Sequence, residues 1–412
     1  MQRSPVVIIG AGQAGLAMSH CLAARGVAHV VLERGRIGER WRSERWDSLR
    51  LLTPNWMARL PGWSYRGAEP DGFMAAGEFA RHLEAYAAAM RAPVEPGVTV
   101  QAVRRGPHGY RVATSRGLWE AEAVVIATGH CDRPAIPAWA RALPAGIRQV
   151  TTADYRNPSQ LPEGGVLVVG ASASGVQLAE EIQRSGRQVH LSVGRHTRLP
   201  RHYRGRDIWH WLDRSGLLDE RVTQVCDLLQ ARRQPSFQLV GRPEGGTIDL
   251  GTLQAEGVRL LGRASGAVGG VLQLEDGLRE TVAAAQQVLL RLLARIDGIA
   301  DAEGAPREPC AAPRIAAGAA PGSLDLAAEG IGSVVWAGGF RRDYRWLQVP
   351  VLDAGGEIIH RGGVTPEAGL FVLGLRFMRR RRSNLIDGVG QDAAELAEAI
   401  LGHLVQPCRA AA

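Results

Sequence analysis

The chain has 412 residues, a formal net charge of +8 from 49 basic and 41 acidic side chains, and 45% hydrophobic residues, an ordinary globular composition. All 49 of those basic side chains are arginine, since the sequence contains no lysine. That absence excludes lysine Schiff-base chemistry and any P-loop that depends on its lysine. It leaves phosphate recognition open, because arginine binds phosphate bidentately at any working pH.

Cysteine spacing and the lengths of the apolar runs exclude further classes. The cysteines form no C-x-x-C pair, which argues against a disulfide framework, a zinc ribbon and a dithiol redox centre. No histidine–carboxylate spacing indicates a metal site. No apolar run approaches 18 residues, and an apolar strand begins at Val6, which leaves no room for a signal peptide. We therefore expect a cytoplasmic protein without a membrane span.

The first 35 residues predict a complete βαβ unit. A strand at 6–9 leads into the motif Gly10-Ala11-Gly12-Gln13-Ala14-Gly15, a helix at 16–24 and a strand at 29–32 that ends beside Glu33. In such a motif the first glycine permits the tight turn, the second lets a pyrophosphate approach the backbone, and the third lets the helix pack on the strand. Glu33 suits an unphosphorylated ribose. The unit therefore predicts a dinucleotide site of the kind that FAD usually occupies at an N-terminus.

A second unit of the same kind begins at residue 166. It comprises a strand at 166–169, the motif Gly170-Ala171-Ser172-Ala173-Ser174-Gly175, a helix at 176–184 and a strand at 188–193. Val193 takes the position of the acid, and four basic side chains follow it: Arg195, His196, Arg198 and Arg201. Such a cluster favours the 2′-phosphate of NADPH over NADH. The alternative is a solvated loop.

Two such units predict an α/β chain with two Rossmann-like dinucleotide-binding folds of the three-layer ββα/βα type. The family resemblance described below implies that the NADP domain is inserted into the FAD domain. We assign 1–160 to the first part of the FAD domain, 161–325 to the NADP domain and 326–412 to the C-terminal part of the FAD domain. Within the middle domain we expect a substrate-side insertion at 207–278 and a linker at 301–323. The other predicted elements are strands at 124–129, 333–337 and 370–373 and helices at 279–298 and 392–404.

Taken together, the motifs resemble those of flavin-containing monooxygenases, and most of all the short bacterial flavoproteins related to plant YUCCA enzymes. Besides the two glycine motifs, the resemblance rests on the run from Trp41 to Pro54, the strand end Ala127-Thr128-Gly129, and the segments 194–201 and 386–390. It covers nearly the whole chain.

The resemblance implies an FAD- and NADPH-dependent monooxygenase that inserts one oxygen atom from O2 into a small molecule through a C4a-(hydro)peroxyflavin, with N- or S-oxygenation favoured. Baeyer–Villiger oxygenation is one alternative, and an NADPH-dependent flavin or quinone reductase without oxygen transfer is another. A basic nucleotide-sensing or nucleic-acid-binding protein is a third hypothesis. We favour a small-molecule substrate and no nucleic acid, and a homodimer remains open.

The resemblance also assigns site residues. The FAD contacts are Gly10, Gly12, Gly15, Glu33, Arg34, Arg40, Trp41, Thr53, Thr128, Gly129 and Asp387. The NADP contacts are Gly170, Ser172, Ser174, Gly175, Arg195 and His196. Asn55 is the predicted catalytic amide, which hydrogen-bonds the activated oxygen, and its alternative is an Asx turn after Pro54. Asp47 is predicted to orient a nearby arginine, and its alternative is a helix cap.

Some features depart from the family or stay open. Thr151 stands where the family fingerprint places a histidine, which weakens the case for Baeyer–Villiger chemistry. A second strand end reads Ala337-Gly338-Gly339 in place of Ala-Thr-Gly, which puts the second crossing between the folds in doubt. Six of the ten tryptophans indicate an aromatic substrate pocket or core filling; they are Trp41, Trp46, Trp56, Trp63, Trp209 and Trp211.

The arginine run at 379–382, with Arg376 nearby, favours a solvated or substrate-entrance loop. An anionic substrate, the NADP phosphates and a polyanion are the alternatives.

Overall fold

The computed structural model describes residues 1–242, 245–307, 310, 315–316 and 321–405. Its strands are, in chain order, β1 (Gln2–Arg3), β2 (Val6–Ile9), β3 (His29–Glu33), β4 (Val94–Pro96), β5 (Val100–Gly106), β6 (Gly109–Thr114), β7 (Gly117–Ala121), β8 (Ala123–Ile126), β9 (Arg133–Pro134), β10 (Arg148–Thr151), β11 (Gly165–Val169), β12 (Val189–Ser192), β13 (Thr197–Arg198), β14 (His202–Tyr203), β15 (Arg206–Asp207), β16 (Phe237–Gln238), β17 (Arg259–Leu261), β18 (Ala264–Val268), β19 (Val271–Leu274), β20 (Ser323–Asp325), β21 (Ile331–Trp336), β22 (Phe340–Arg341) and β23 (Leu370–Val372). Its helices are α1 (Gln13–Ala23), α2 (Glu39–Ser43), α3 (Ala76–Ala89), α4 (Ala173–Arg184), α5 (Ile208–Arg214), α6 (Leu228–Arg232), α7 (Leu250–Ala255), α8 (Leu278–Ala302) and α9 (Val389–Val405).

The first fold is a parallel sheet of five strands in the order β23-β8-β2-β3-β4. Side chains of a strand alternate between its two faces. Val6 and Ile8 of β2 therefore pack against the helices α1, α3 and α9, whereas Val7 and Ile9 pack toward the four-stranded sheet β1-β7-β6-β5. Both faces of β2 are covered, which explains why its sequence is apolar without alternation.

The second fold repeats this arrangement with the parallel order β10-β21-β11-β12-β17. Val166 and Val168 of β11 contact the layer that contains α4 and α7, while Leu167 faces the layer of the meander β18-β19-β20. The predicted pair of Rossmann-like folds with three layers each is confirmed.

The second fold is inserted into the first, between β8 and β23, but its extent differs from the prediction. The strands β10 and β21 belong to the second sheet, so that this sheet spans residues 148–336. The boundaries predicted at 160/161 and 325/326 are therefore wrong, because neither β10 nor β21 is followed by a glycine motif that would mark it in the sequence as part of the second fold.

The inserted region predicted at 207–278 is only partly an addition to the Rossmann-like fold. Its strand β17 pairs with β12 in the second sheet, and β18 and β19 form most of the meander on one face. The residues outside these elements, 207–258, include α5, α6 and α7. The prediction of one substrate-side insertion is corrected accordingly.

The predicted helix at 279–298 is longer at both ends, since α8 runs from Leu278 to Ala302. It buries one stripe that includes Ala285, Leu289, Leu293 and Ile296, as the sequence period predicts. The predicted linker at 301–323 begins inside α8 and ends in β20, and 308–309, 311–314 and 317–320 lie outside the described residues. No helix among the described residues is long and apolar enough to cross a bilayer.

Each glycine motif places its helix against its strand through the same close contact. A Cβ atom on Gly15 would lie 1.8 Å from the carbonyl oxygen of Gly10, and a Cβ on Gly175 would lie 1.8 Å from that of Gly170. Real Cβ atoms do not approach oxygen this closely, so any side chain at these positions would push the helix off the turn.

The two chain crossings between the folds lie side by side. The strands β9 and β22 pair antiparallel, and the amide of Ala135 donates to the carbonyl of Gly339 at 2.8 Å. A Cβ on Gly170 would lie 2.5 Å from the carbonyl oxygen of Ala337, much as one on Gly10 would lie 2.7 Å from that of Ala127. The second strand end therefore takes the same place as the first, which removes the doubt about the second crossing.

The side chains of the arginine run at 379–382 form ion pairs, so a purely solvated loop is wrong. Arg381 and the nearby Arg376 line the cavity described below, so the alternative of a substrate-entrance loop stays a prediction. Arg379 and Arg380 pair with Glu395 of α9, and Arg381 pairs with Glu220. The buried Arg382 binds three carboxylates: Asp213, Asp219 at 3.0 Å and Asp387 at 2.8 Å. These pairs join α9 to the segment that follows α5.

We expect Gly15→Ala to reduce FAD retention and thermal stability, because the new methyl group cannot fit beside the Gly10 carbonyl. The measurements are the flavin-to-protein absorbance ratio after gel filtration and the melting temperature. The control is Gly402→Ala, an exposed position in α9 where a Cβ meets nothing within 4 Å. That change is expected to raise stability by about 0.4–1 kcal/mol. Equal flavin content in both variants would contradict the packing argument.

Asp392 predicts a pH dependence of stability. Burial raises the pKa of this carboxyl to about 6, although Ser383 and Arg380 lower it. In the unfolded chain the carboxyl ionises near pH 3.9. The folded state therefore holds the proton more tightly between these values, and the resulting stabilisation is lost as the pH rises through about 6.

We accordingly expect the melting temperature of the wild type, relative to Asp392→Asn, to fall between pH 4.5 and pH 7.5. Thermal unfolding measured across this range tests the prediction. Asp71→Asn, on an exposed loop, is the control. A wild-type minus Asp392→Asn difference that stays constant with pH would show that the carboxyl has the same pKa in both states.

Candidate active site

A cavity of about 1560 Å³ lies between the two folds. Its wall includes the first glycine turn, the end of β3, the crossing at 127–134, the loop after β12 and one face of α8. Sites for a single small ligand usually measure about 300–1,000 Å³. This cavity therefore has room for more than one small molecule at the junction of the folds.

At the first glycine turn, the helix α1 begins at the cavity wall. Gly10 and Gly12 line the cavity, and a Cβ on Gly12 would meet nothing within 4 Å, so the turn leaves open space where a phosphate would approach. Gly15 lies beneath the turn and acts through packing. Two backbone amides hold the buried carboxylate of Glu33, that of Ala11 and that of Gly35, each at 2.8 Å.

Six further residues predicted for the first cofactor also line the cavity: Arg34, Arg40, Trp41, Thr53, Thr128 and Gly129. Arg40 pairs with Asp132 and donates to the carbonyl of Cys131, which ties α2 to the crossing. Trp41 packs edge-on against Phe79 of α3, with ring centroids 4.9 Å apart. The wall on this side is thus supported by contacts that do not require a ligand.

The second glycine turn has the same backbone shape but lies away from the cavity wall. Ser172 precedes α4 with φ −82° and ψ −170°, close to the −85° and −172° of Gly12. Gly170, Ser172, Ser174 and Gly175 do not line the cavity, whereas Arg195 and His196 do. The strand β16 lies over the turn, because the buried amide of Gln238 donates to the carbonyl of Ala171 at 2.6 Å.

The basic cluster after β12 divides into buried and exposed members. Arg198 donates twice to one carboxylate oxygen of Asp249, at 3.1 and 2.9 Å, and Arg201 binds Asp207 and the carbonyl of Leu52. Both guanidiniums are buried. A 2′-phosphate contact through these two residues is therefore not supported. Arg195 is exposed, and its recorded bond is one donation to the carbonyl of Arg233 at 3.2 Å.

Asn55 and Asp47 do not have the contacts that their predicted catalytic roles require. The buried amide of Asn55 donates to the carbonyl of Glu69 at 2.9 Å and accepts from the amide of Met74 at 2.9 Å, so it clamps the 69–74 loop. Asp47 is exposed, accepts from the side chain of Asn157 at 2.6 Å and forms no recorded ion pair with arginine. Neither residue lines the cavity, and their catalytic roles stay predictions that these contacts do not support.

Asp387, which was predicted as an FAD contact, does not line the cavity. Its side chain is 1% exposed and faces Arg382 and Arg59, while its neighbours Ile386 and Val389 line the cavity. Burial raises the pKa of this carboxyl against the lowering effect of Arg382. Thr151, at the position of the family histidine, donates to Asp154 at 2.6 Å and closes a local turn.

The tryptophans serve both of the roles that the sequence left open. Trp41 and Trp209 line the cavity. Trp46 and Trp211 are buried in separate cores, and the indole N–H of Trp211 donates to the carbonyl of Tyr203.

The cavity wall also contains Arg45 and Cys131, which the sequence analysis did not assign to a site, and Arg376, which it named only beside the arginine run. Burial raises the pKa of the Cys131 thiol, but His130, Arg45 and Arg376 lower it to about 6 overall. Burial lowers the pKa of both arginines. The position of Cys131, two residues after a conspicuous strand end, was the available signal. The arginines come from distant parts of the chain and meet only in the folded molecule.

The segment 232–238 bridges the folds across the cavity. Arg376 donates to the carbonyl of Gln234 at 3.1 Å and to the hydroxyl of Ser236 at 2.9 Å, and Arg232 donates to the carbonyl of Phe377 at 3.3 Å. Phe377 lines the cavity with φ +45°, a left-handed conformation that bulky residues rarely adopt. Such strain persists only where surrounding contacts hold it, and it is frequent at functional sites.

The residues present fit a dinucleotide at the first turn. The open space at Gly12, the start of α1 and the oriented carboxylate of Glu33 match the needs of a pyrophosphate and a ribose diol in that order. At the second fold, the matching turn and the exposed Arg195 fit a phosphorylated dinucleotide.

Comparisons with known proteins agree with this geometry. Residues 7–211 match the family described as pyridine nucleotide-disulphide oxidoreductase. The chain is 35% identical over 403 residues to a CzcO-like oxidoreductase of Geobacillus kaustophilus, covering 97% of this chain and 98% of the relative. It is 32% identical over 191 residues to indole-3-pyruvate monooxygenase YUCCA1 of Oryza sativa, covering 45% and 47%. The fold is similar to that of a flavin-containing monooxygenase from Stenotrophomonas maltophilia, with a TM-score of 0.68, 19% identity and coverage of 98% and 99%.

We expect Arg195→Ala to raise the KM for NADPH at least tenfold and to change the KM for NADH little, because the guanidinium would contact only the 2′-phosphate. Anaerobic flavin reduction with each nucleotide measures both constants. Arg141→Ala, an exposed arginine outside the cavity, is the control. Equal effects on the two nucleotides would refute the assignment.

Proposed function

This chain belongs to the flavin-containing monooxygenase family together with the CzcO-like oxidoreductases, and we propose that it oxygenates nitrogen or sulfur atoms of a small molecule. Its cofactors are FAD and NADPH, and it is a flavin-dependent monooxygenase that uses O2. The observation that carries the proposal is the shared cavity, which connects Gly12 and Glu33 of the first fold to Arg195 of the second.

The chain's own residues position the reactants. Glu33 and the N-terminus of α1 would bind the ribose and pyrophosphate of FAD, and Arg195 would bind the 2′-phosphate of NADPH. When bound and reduced by NADPH, FAD supplies the electrons that activate O2, so that one oxygen atom enters the substrate and the other leaves as water. Trp209 and Phe237 present apolar surface to the cavity, which excludes water from the reacting centre.

The described residues argue against disulfide reduction, Baeyer–Villiger oxygenation and nucleic-acid binding, in that order. The cysteines Cys21, Cys131, Cys226 and Cys310 are free and separate, and none is paired for disulfide reduction. Thr151 is engaged with Asp154 and does not replace the histidine that Baeyer–Villiger relatives use. Each arginine of residues 379–382 is paired with a carboxylate, which argues against a nucleic-acid partner.

The test is oxygenation of a panel of amines, thioethers and ketones by the NADPH-reduced holoenzyme under ¹⁸O2. We expect one labelled oxygen in an N-oxide or sulfoxide for each NADPH consumed in the presence of that substrate. Enzyme stripped of FAD is the control. Hydrogen peroxide equal to the NADPH consumed, with no labelled product, would overturn the proposal in favour of a reductase, and a labelled ester would favour the Baeyer–Villiger alternative.

A further inference from the structure

One section of the cavity wall, which we call the apolar annex, consists of side chains that pack against a hydrophobic core on one side and line the cavity on the other. Its members are Leu52, Trp209, Leu217, Phe237, Leu292 and Leu385. Trp209 is itself buried, and the other five are half-buried members of the core around Leu289 and Trp211. Their remaining apolar surface faces the cavity. This section therefore favours an apolar part of a ligand.

Two arginines lie on the same helix face as part of this annex. Val288, Arg291, Leu292 and Arg295 of α8 all line the cavity, at the i, i+3, i+4 and i+7 spacing of one helical face. Arg291 and Arg295 are exposed and stand one helical turn apart, so their guanidinium groups can reach one common anion.

Carboxylates near these arginines are already bound elsewhere. Asp213 and Asp219 pair with Arg382, and Glu220 pairs with Arg381. Within the part of the chain that the structure describes, Arg291 has no ion pair, and the one recorded bond of Arg295 is a donation to the carbonyl of Ser215 at 2.7 Å. The two cations thus border the apolar annex without a recorded carboxylate partner.

The pair is also separate from the predicted 2′-phosphate contact. Gln286 of α8 accepts from Arg198 of β13, three residues after Arg195. At 1.5 Å per residue, Arg291 and Arg295 lie about 8 and 14 Å further along the helix, toward Ser215. The predicted 2′-phosphate contact therefore lies at the other end of this helix face, and the two arginines are available to a different anion.

We propose that the substrate is an apolar molecule that carries one carboxylate, and that Arg291 and Arg295 bind this carboxylate while the apolar annex holds the body of the molecule. Two guanidinium groups match a carboxylate through charge-assisted hydrogen bonds. The inference rests on the proposed function, since it names the class of molecule on which that reaction acts. It assigns Arg291 and Arg295 a role in specificity and none in oxygen activation.

Calorimetric titration of the FAD-containing enzyme, saturated with NADP⁺, tests the proposal with octanoate, octan-1-ol and octylamine. These probes share an apolar chain and differ in the charge of the head group. We expect octanoate to bind at least tenfold more tightly than octan-1-ol, and octylamine to bind most weakly. The double variant Arg291→Gln/Arg295→Gln should remove the advantage of octanoate and leave the affinity for octan-1-ol unchanged.

Arg66→Gln, an exposed arginine outside the cavity, is the matched control and should leave all three affinities unchanged. An octanoate advantage that persists in the double variant, or equal binding of octanoate and octan-1-ol by the wild type, would overturn the proposal. A tenfold rise in the KM for NADPH in the double variant would also overturn it, because the arginines would then belong to the nucleotide.

Calorimetry requires no turnover, so it separates this proposal from the proposed function. If octanoate binds as expected and no labelled product forms under ¹⁸O2, the carboxylate site stands and the oxygenase assignment fails. If oxygenation occurs without a preference for octanoate, the oxygenase assignment stands and the substrate class is wrong.

Discussion

Two glycines, which have no side chain, determine how the first helix of each fold packs against its strand. Gly15 and Gly175 let α1 and α4 begin directly on the turns that precede them, where a Cβ would lie 1.8 Å from a carbonyl oxygen. In both folds the end of the neighbouring strand, at Ala127 or Ala337, lies so close to the first glycine of the motif that a Cβ there would not fit. Because the same contacts recur, the two crossings arrive at equivalent places and can pair with each other as β9 and β22.

The cavity follows from that paired crossing. Two sheets joined by adjacent strands leave a cleft between their carboxyl ends, where ligands of such folds bind. The segment 232–238 then spans the cleft, held to one fold by Arg376 and to the other by Gln238. The site is therefore assembled from both folds, and its opening depends on how these side chains hold the bridge.

A chain without lysine uses arginine for three different physical tasks. Some guanidiniums are buried against carboxylates. Arg198, for example, donates two hydrogen bonds from its planar guanidinium to the carboxylate of Asp249. Others, such as Arg376, donate to backbone and hydroxyl oxygens and hold the bridge. Arg195 and Arg291 line the cavity without a recorded carboxylate, and these are the positions that we propose as ligand contacts.

The sequence by itself determined both Rossmann-like folds and their cofactor class, because glycine spacing and apolar runs are local signals that a βαβ unit obeys wherever it occurs. The insertion of one fold into the other followed from the family resemblance, and its boundaries came only from the structure. The residues that the family resemblance assigned to the first cofactor mostly line the cavity, although few of them belong to the glycine turn itself. Only the tertiary structure showed that Asn55 holds the 69–74 loop in place. It also showed that residues 379–382 bind carboxylates from distant segments. The physical reason is that an ion pair or a cavity wall forms between residues that are far apart in the chain. The spacing of residues along the sequence carries no information about which of these distant residues meet.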